Sequence, residues 1–130
     1  MKYSNKITIS IVILTIFMIV FSLYGINSLK KTADNLNNYI IEIENNTVFK
    51  NWANASIIIK DLKNNWVKER STWAILIDHN EIDNIDISIE KISKYIETKN
   101  NSLALVEIAT LKLYIKHIPE KESLNLTNIL

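Results

Sequence analysis

Along residues 7–26 no position carries a charge, and the side chains are aliphatic, aromatic or small hydroxyls. A helix of about 20 such residues spans roughly the 30 Å hydrocarbon core of a bilayer. Tyr3 and Tyr24 bracket the run where interfacial aromatics are expected. Thr8, Ser10, Thr15 and Ser22 are tolerated within it because their hydroxyls can bond back to the helix. A cleaved signal peptide would begin with the same basic start, Lys2 and Lys6, but the run is long and no Ala-x-Ala-like site follows it. The expectation is a short cytoplasmic tail over residues 1–6 and a retained anchor over residues 7–28.

Past the anchor the pattern changes to amphipathic. Ile26, Leu29, Ala33, Leu36, Ile40 and Ile43 recur at alternating steps of three and four, one apolar seam of a helix. No breaker separates this seam from the anchor, so the spacing predicts one continuous helix to about Glu44, with a turn at residues 45–47. A second helix is predicted over residues 49–77, burying Trp52, Ala55, Ile58 or Ile59, Leu62, Trp66, Trp73 and Leu76 or Ile77. Asp78 with Glu81 has capping-box spacing, and a third helix follows on Ile82, Ile85, Ile89, Ile92 and Ile96. A fourth runs from Ser102 or Leu103 to His117, with Val106, Ile108, Leu111, Leu113 and Ile115 on a broad apolar face, and Pro119 ends it. The tail over residues 119–130 holds Leu124, Leu126, Ile129 and Leu130, too apolar for a solvated end, and is expected to pack back on the domain of residues 29–118.

The fold class is therefore all-α: a transmembrane helix continuous with a four-helix antiparallel bundle or stacked helical hairpins. Pattern alone shows no fixed-period internal repeat. Composition agrees, since the only Gly is Gly25 and the only Pro is Pro119. With no Cys, disulfides, thiolate nucleophiles and cysteine metal sites are excluded. A net charge of +1 gives no basic surface for nucleic acid. Lys30 and Lys31 balance Lys2 and Lys6 in the positive-inside count. A short basic tail ahead of a first span stays inside as a rule, which places the single-pass chain in the cell membrane with its domain outside the cytoplasm.

Candidate chemistry is sparse. Asp78, His79, Glu81 and Asp83 open the third helix, and His117 and Glu120 close the fourth; in an up-down bundle these ends are neighbours. Two imidazoles beside carboxylates suit a divalent metal such as zinc, making His79 and His117 weak ligand candidates, although no His-x-x-x-His pair exists. The same residues are explained without a ligand, by Asp78 and Glu81 as caps and the histidines as cations at helix ends. Arg70 lies on one face with Trp66 and Trp73, where it can receive an anion or bridge to Asp83, Asp86 or Glu90 on the next helix. No activated Ser or Thr and no Gly-rich phosphate loop is present, so an enzyme is not expected, nor a cofactor.

The stretch Trp66-x3-Arg70-x2-Trp73, then Ile77-Asp78-His79-x-Glu81-Ile82-Asp83-Asn84-Ile85, His117-Ile118-Pro119-Glu120-Lys121-Glu122 and Asn128-Ile129-Leu130, resembles domain-of-unknown-function family 4363. These are small single-span, membrane-anchored proteins of clostridia and related Gram-positive bacteria. The resemblance implies a small helical single-span protein and brings no established activity. The expected role is a non-enzymatic extracytoplasmic interaction module whose partners are the bilayer and another membrane or envelope protein. The alternative is a ligand or metal sensor using the His79 and His117 end of the bundle.

Overall fold

The computed structural model describes residues 2–129; Met1 of the expected tail and Leu130 of the apolar C-terminus lie outside them. Four helices follow in order: α1 (Lys2–Val48), α2 (Trp52–Leu76), α3 (His79–Glu97) and α4 (Asn101–Ile129). α1 is unbroken over its 47 residues, about 70 Å at helical rise. Its first half stands clear of the rest, with the side chains of residues 7–21 almost all exposed, and is long and apolar enough to cross a membrane. The hydroxyls of Thr8, Ser10 and Thr15 each donate to the carbonyl four residues back at 2.9 Å, as the sequence predicted.

The second half of α1 joins α2, α3 and α4 in a closed up-down ring, each helix packing on its chain neighbours and α4 returning to α1. We call the end where α1 enters the base, and the end carrying the α1–α2 and α3–α4 turns the tip. Leu29, Ala33, Leu36, Ile40 and Ile43 of α1 meet Ala55, Ile59, Leu62, Trp66 and Trp73 of α2, five of the six isoleucines of α3, and Ala104, Ile108, Leu111, Ile115 and Ile118 of α4, all buried. A β-branched Ile gives up about 0.4 kcal/mol of helix propensity relative to Ala. Its full burial returns about 1.5–3 kcal/mol, so packing decides and α3 is a helix.

Two helices run on past their predicted C-terminal ends. α1 runs to Val48 rather than Glu44, because Thr47 adds one more buried position to the seam. The asparagines at 45 and 46 are accommodated in helix, and Asn46 Nδ2 donates to the carbonyl of Glu42. Pro119 does not end α4, which continues to Ile129, so residues 119–129 are helix rather than a separate tail. A proline inside a helix leaves the carbonyl of Ile115 without its amide partner. The loss is tolerated here because Ile115, Ile118 and Pro119 are buried together on the bundle. The face of α4 also differs: Val106 and Leu113, predicted to be buried, are 64% and 56% exposed.

The structure shows a repeat that the sequence pattern did not. Both tip turns place a Lys at φ 55, Lys50 and Lys99, followed by an Asn. The Asn51 and Asn100 amides each close a six-residue loop, onto Asn46 O and Tyr95 O at 2.8 Å. Their side chains then cap α2 and α4 by accepting from the amides of Asn54 and Leu103. Nine pairs of buried positions keep the same 49-residue offset. Ala33, Leu36, Ile40, Ile43 and Thr47 correspond to Ile82, Ile85, Ile89, Ile92 and Ile96, and Ala55, Ile59, Leu62 and Trp66 to Ala104, Ile108, Leu111 and Ile115. The bundle is two copies of one helical hairpin, tied at the tip by Asn101 Nδ2, which donates to Thr47 O at 2.6 Å.

Candidate functional site

Of the predicted site residues, Trp66, Arg70 and Trp73 form one cluster on α2. Trp66 and Trp73 are seven residues apart and buried, and their rings meet edge to face at 5.4 Å with an 85° interplanar angle. That arrangement places a positive ring edge on a negative face. Asp86 of α3 divides its carboxylate between two partners. Oδ1 accepts from Trp66 Nε1 at 2.6 Å, while Oδ2 accepts from Arg70 Nε at 2.9 Å and stands 2.8 Å from a terminal guanidinium nitrogen. Lys63 pairs with Glu90 at 2.6 Å just above. The Arg70 charge is thus answered within the fold, and the cluster acts as a lock between α2 and α3. The bridging role predicted for Arg70 is the one found. Trp73 Nε1, by contrast, is buried without a partner.

The second predicted cluster falls at the base, where α3 begins and α4 passes. Ile77 is extended, and Asp78 caps α3 by accepting from the Asn80 amide at 2.7 Å. Glu81 does not reach back to complete the capping box. It accepts instead from Lys121 Nζ at 2.6 Å, a charge-assisted bond that outweighs one to a neutral amide. That hydrogen bond, with the Glu81 charge, raises the Lys121 ammonium above the usual lysine value. A groove of about 530 Å³ between α3 and α4 is lined by Asp78, Glu81, Asn84, Tyr114, His117 and Lys121.

The topology does bring His79 and His117 to one end, but not into one site. His117 lines the groove, with Nδ1 4.0 Å from Glu120 Oε2; His79 is exposed and does not line it. Asp83 is exposed on α3. Among the described residues no three His, Asp or Glu side chains come together to hold a metal ion. His79 and His117 therefore do not line one groove, and the Glu81 carboxylate beside His117 in that groove is taken by Lys121.

Two surfaces escaped the sequence. A groove of about 690 Å³ runs between α1 and α4, with Ala33, Ile41, Ile115 and Pro119 as apolar lining and Lys30, Asp34, Lys116 and Glu120 as charged lining. Its signal, a Pro continuing a helix, cannot be read from local rules. On the outer side of α4, Leu103, Val106 and Leu113 form an exposed stripe at steps of three and seven, opposite the buried Ala104, Ile108, Leu111 and Ile115. The continuous seam from Leu29 to Ile43 is wholly consumed by the bundle, whereas α4 keeps an apolar stripe outside it.

No curated protein and no solved structure matches the chain. The family described as Domain of unknown function (DUF4363) matches residues 23–129, which take in the whole bundle and the last turn of the apolar run. The chain belongs to that family, as its motifs around Trp66, Asp78 and Pro119 implied.

Proposed function

We propose that this protein is a membrane-anchored, non-enzymatic interaction module, held by α1 and presenting the outer face of α4 to another membrane or envelope protein. The observation that carries the reading is the stripe of Leu103, Val106 and Leu113. The bundle closes its core without these side chains, and an exposed apolar row along a helix marks a contact surface. The anchor rests on the charge-free residues 7–26 of α1, which are almost all exposed as far as residue 21 and run without a break into the bundle. Lys2 and Lys6 ahead of the span support a cytoplasmic N-terminus and an extracytoplasmic bundle, because a long domain behind a first span is exported largely regardless of its own charge.

Engagement of the candidate polar residues supports a role without covalent chemistry. Asp78 caps a helix, Glu81 holds Lys121, and Asp86 holds Arg70 and Trp66. Sensing of a metal through His79 and His117 is the weaker reading, since the two do not share a groove. The test is a photo-crosslinking residue at Val106 or Leu113 in native membranes, with the same residue at the Lys94 face of α3 as comparison. A discrete adduct from α4, lost in Val106→Asp of unchanged stability, is expected. Labelling from α4 no stronger than from α3 would end the proposal.

A further inference from the structure

At the base of the bundle three helices present charge-free segments at one level. α2 and its C-cap close on residues 71–77, α4 on residues 123–129, and α1 arrives through residues 7–26, none of them holding a charged side chain. The end of α2 lies level with the last turn of the apolar run, since a Cβ on Gly25 would stand 3.1 Å from Leu76 Cδ2. α4 reaches further. Leu126 and Thr127 share a groove with Leu23 and Ile26, and the backbone at Ile129 lies about 4.5 Å deeper along the axis, alongside the apolar run itself. These ends are not consumed by the core: Tyr24, Ile75 and Leu124 are 74%, 79% and 65% exposed. The charged residues next above this level, Lys30, Lys31, Asp78, Lys121 and Glu122, are of mixed sign, as suits a headgroup layer carrying both phosphate and amine.

We infer that the base is a second membrane contact, resting on the reading of residues 7–26 as a span. The last two turns of α4 and the α2–α3 corner sit in the interfacial layer of the bilayer beside α1, so the bundle stands on lipid rather than swinging on a single stalk. An amphipathic or apolar helix end buried several ångströms into the headgroup boundary is a recognised mode of membrane contact, distinct from spanning. It explains why α4 continues beyond Glu122 with uncharged residues only, when the core ends at Ile118 and Pro119.

Because the chain has no cysteine, single labels are unambiguous. Nitroxides are placed in the full chain by Leu124→Cys, Ile75→Cys, Phe17→Cys and Val106→Cys, all exposed positions, and the protein is reconstituted in vesicles of phosphatidylethanolamine and phosphatidylglycerol. Collision with lipid-soluble oxygen is compared with collision with a water-soluble nickel chelate. The expected result is that oxygen dominates at 124, 75 and 17, with the ratio inverted at 106. The inference is overturned if either 124 or 75 matches the water exposure of 106 while 17 reports lipid, a result that leaves the anchor standing. Water exposure at 17 as well removes both the anchor and the contact.

Discussion

Replacing Asp86 with Ala removes one carboxylate and strands two donors on α2. The Trp66 indole N–H is the costlier loss, because Trp66 is only 3% exposed and its one partner is Asp86 Oδ1. A buried donor left unpaired costs about 1–3 kcal/mol. The Arg70 pair adds less, since its side chains are 45% and 33% exposed, and such pairs contribute about 0.2–1 kcal/mol. Together Asp86→Ala should destabilise by about 2–3 kcal/mol, a fall in midpoint of roughly 9–14 °C for a domain of this size. Arg70→Met should cost under about 1 kcal/mol, because it leaves the Trp66 bond intact. Asp86→Asn keeps an acceptor for the indole and should lie between them. Thermal unfolding of the full chain in micelles, followed by far-UV circular dichroism, measures all three. The reasoning is refuted if Asp86→Ala melts within about 2 °C of Arg70→Met, for then the buried indole bond contributes nothing.

The hairpin repeat makes its own predictions. Thr47 is buried with its hydroxyl unpartnered where the second hairpin has Ile96, so Thr47→Val should raise stability by about 1 kcal/mol in the same melts. Lys50 and Lys99 hold left-handed backbone that costs a side chain about 1 kcal/mol. Lys99→Gly should gain roughly 0.5 kcal/mol after the unfolded-state entropy of glycine is set against it, and Lys50→Gly should match it. Lys121 is raised by its hydrogen bond to Glu81, so its contribution is fully present below the ordinary lysine value of 10.5 and is lost as pH rises through the raised one. The difference in melting point between wild type and Lys121→Met should accordingly be constant from neutral pH to about 10 and shrink above it.

Helix type and core were legible because periodicity is a direct record of burial. The seam from Leu29 to Ile43, the five buried isoleucines of α3 and the tryptophans of α2 were each assigned to the side they occupy. Arg70 was legible for a related reason, since a cation between two buried indoles needs a partner within the fold. The misses have one cause: local rules were applied where tertiary contacts decide. Pro119 reads as a stop, but burial of Ile115 and Ile118 just ahead of it, and of Pro119 itself, carries the helix through it. Glu81 has capping-box spacing, but Lys121 from a distant helix offers the stronger bond. On α4 both faces are apolar, and the sequence could not say that Ala104 and Ile108 rather than Val106 and Leu113 turn inward. The repeat was hidden because Ala, Ile and Leu at helical spacing are common to any bundle. It emerges from the matched Lys-Asn turns, whose φ values no pattern reveals.

The account depends on α1 being one rigid helix shared between bilayer and bundle. Nitroxides at Ser10→Cys and Asn45→Cys, in the full chain in vesicles, report its length directly by pulsed electron–electron resonance. Thirty-five residues of unbroken helix separate them by about 52 Å, and the account predicts a single narrow distribution centred there. A broad distribution centred well below that distance, as from a hinge at Gly25, would contradict it.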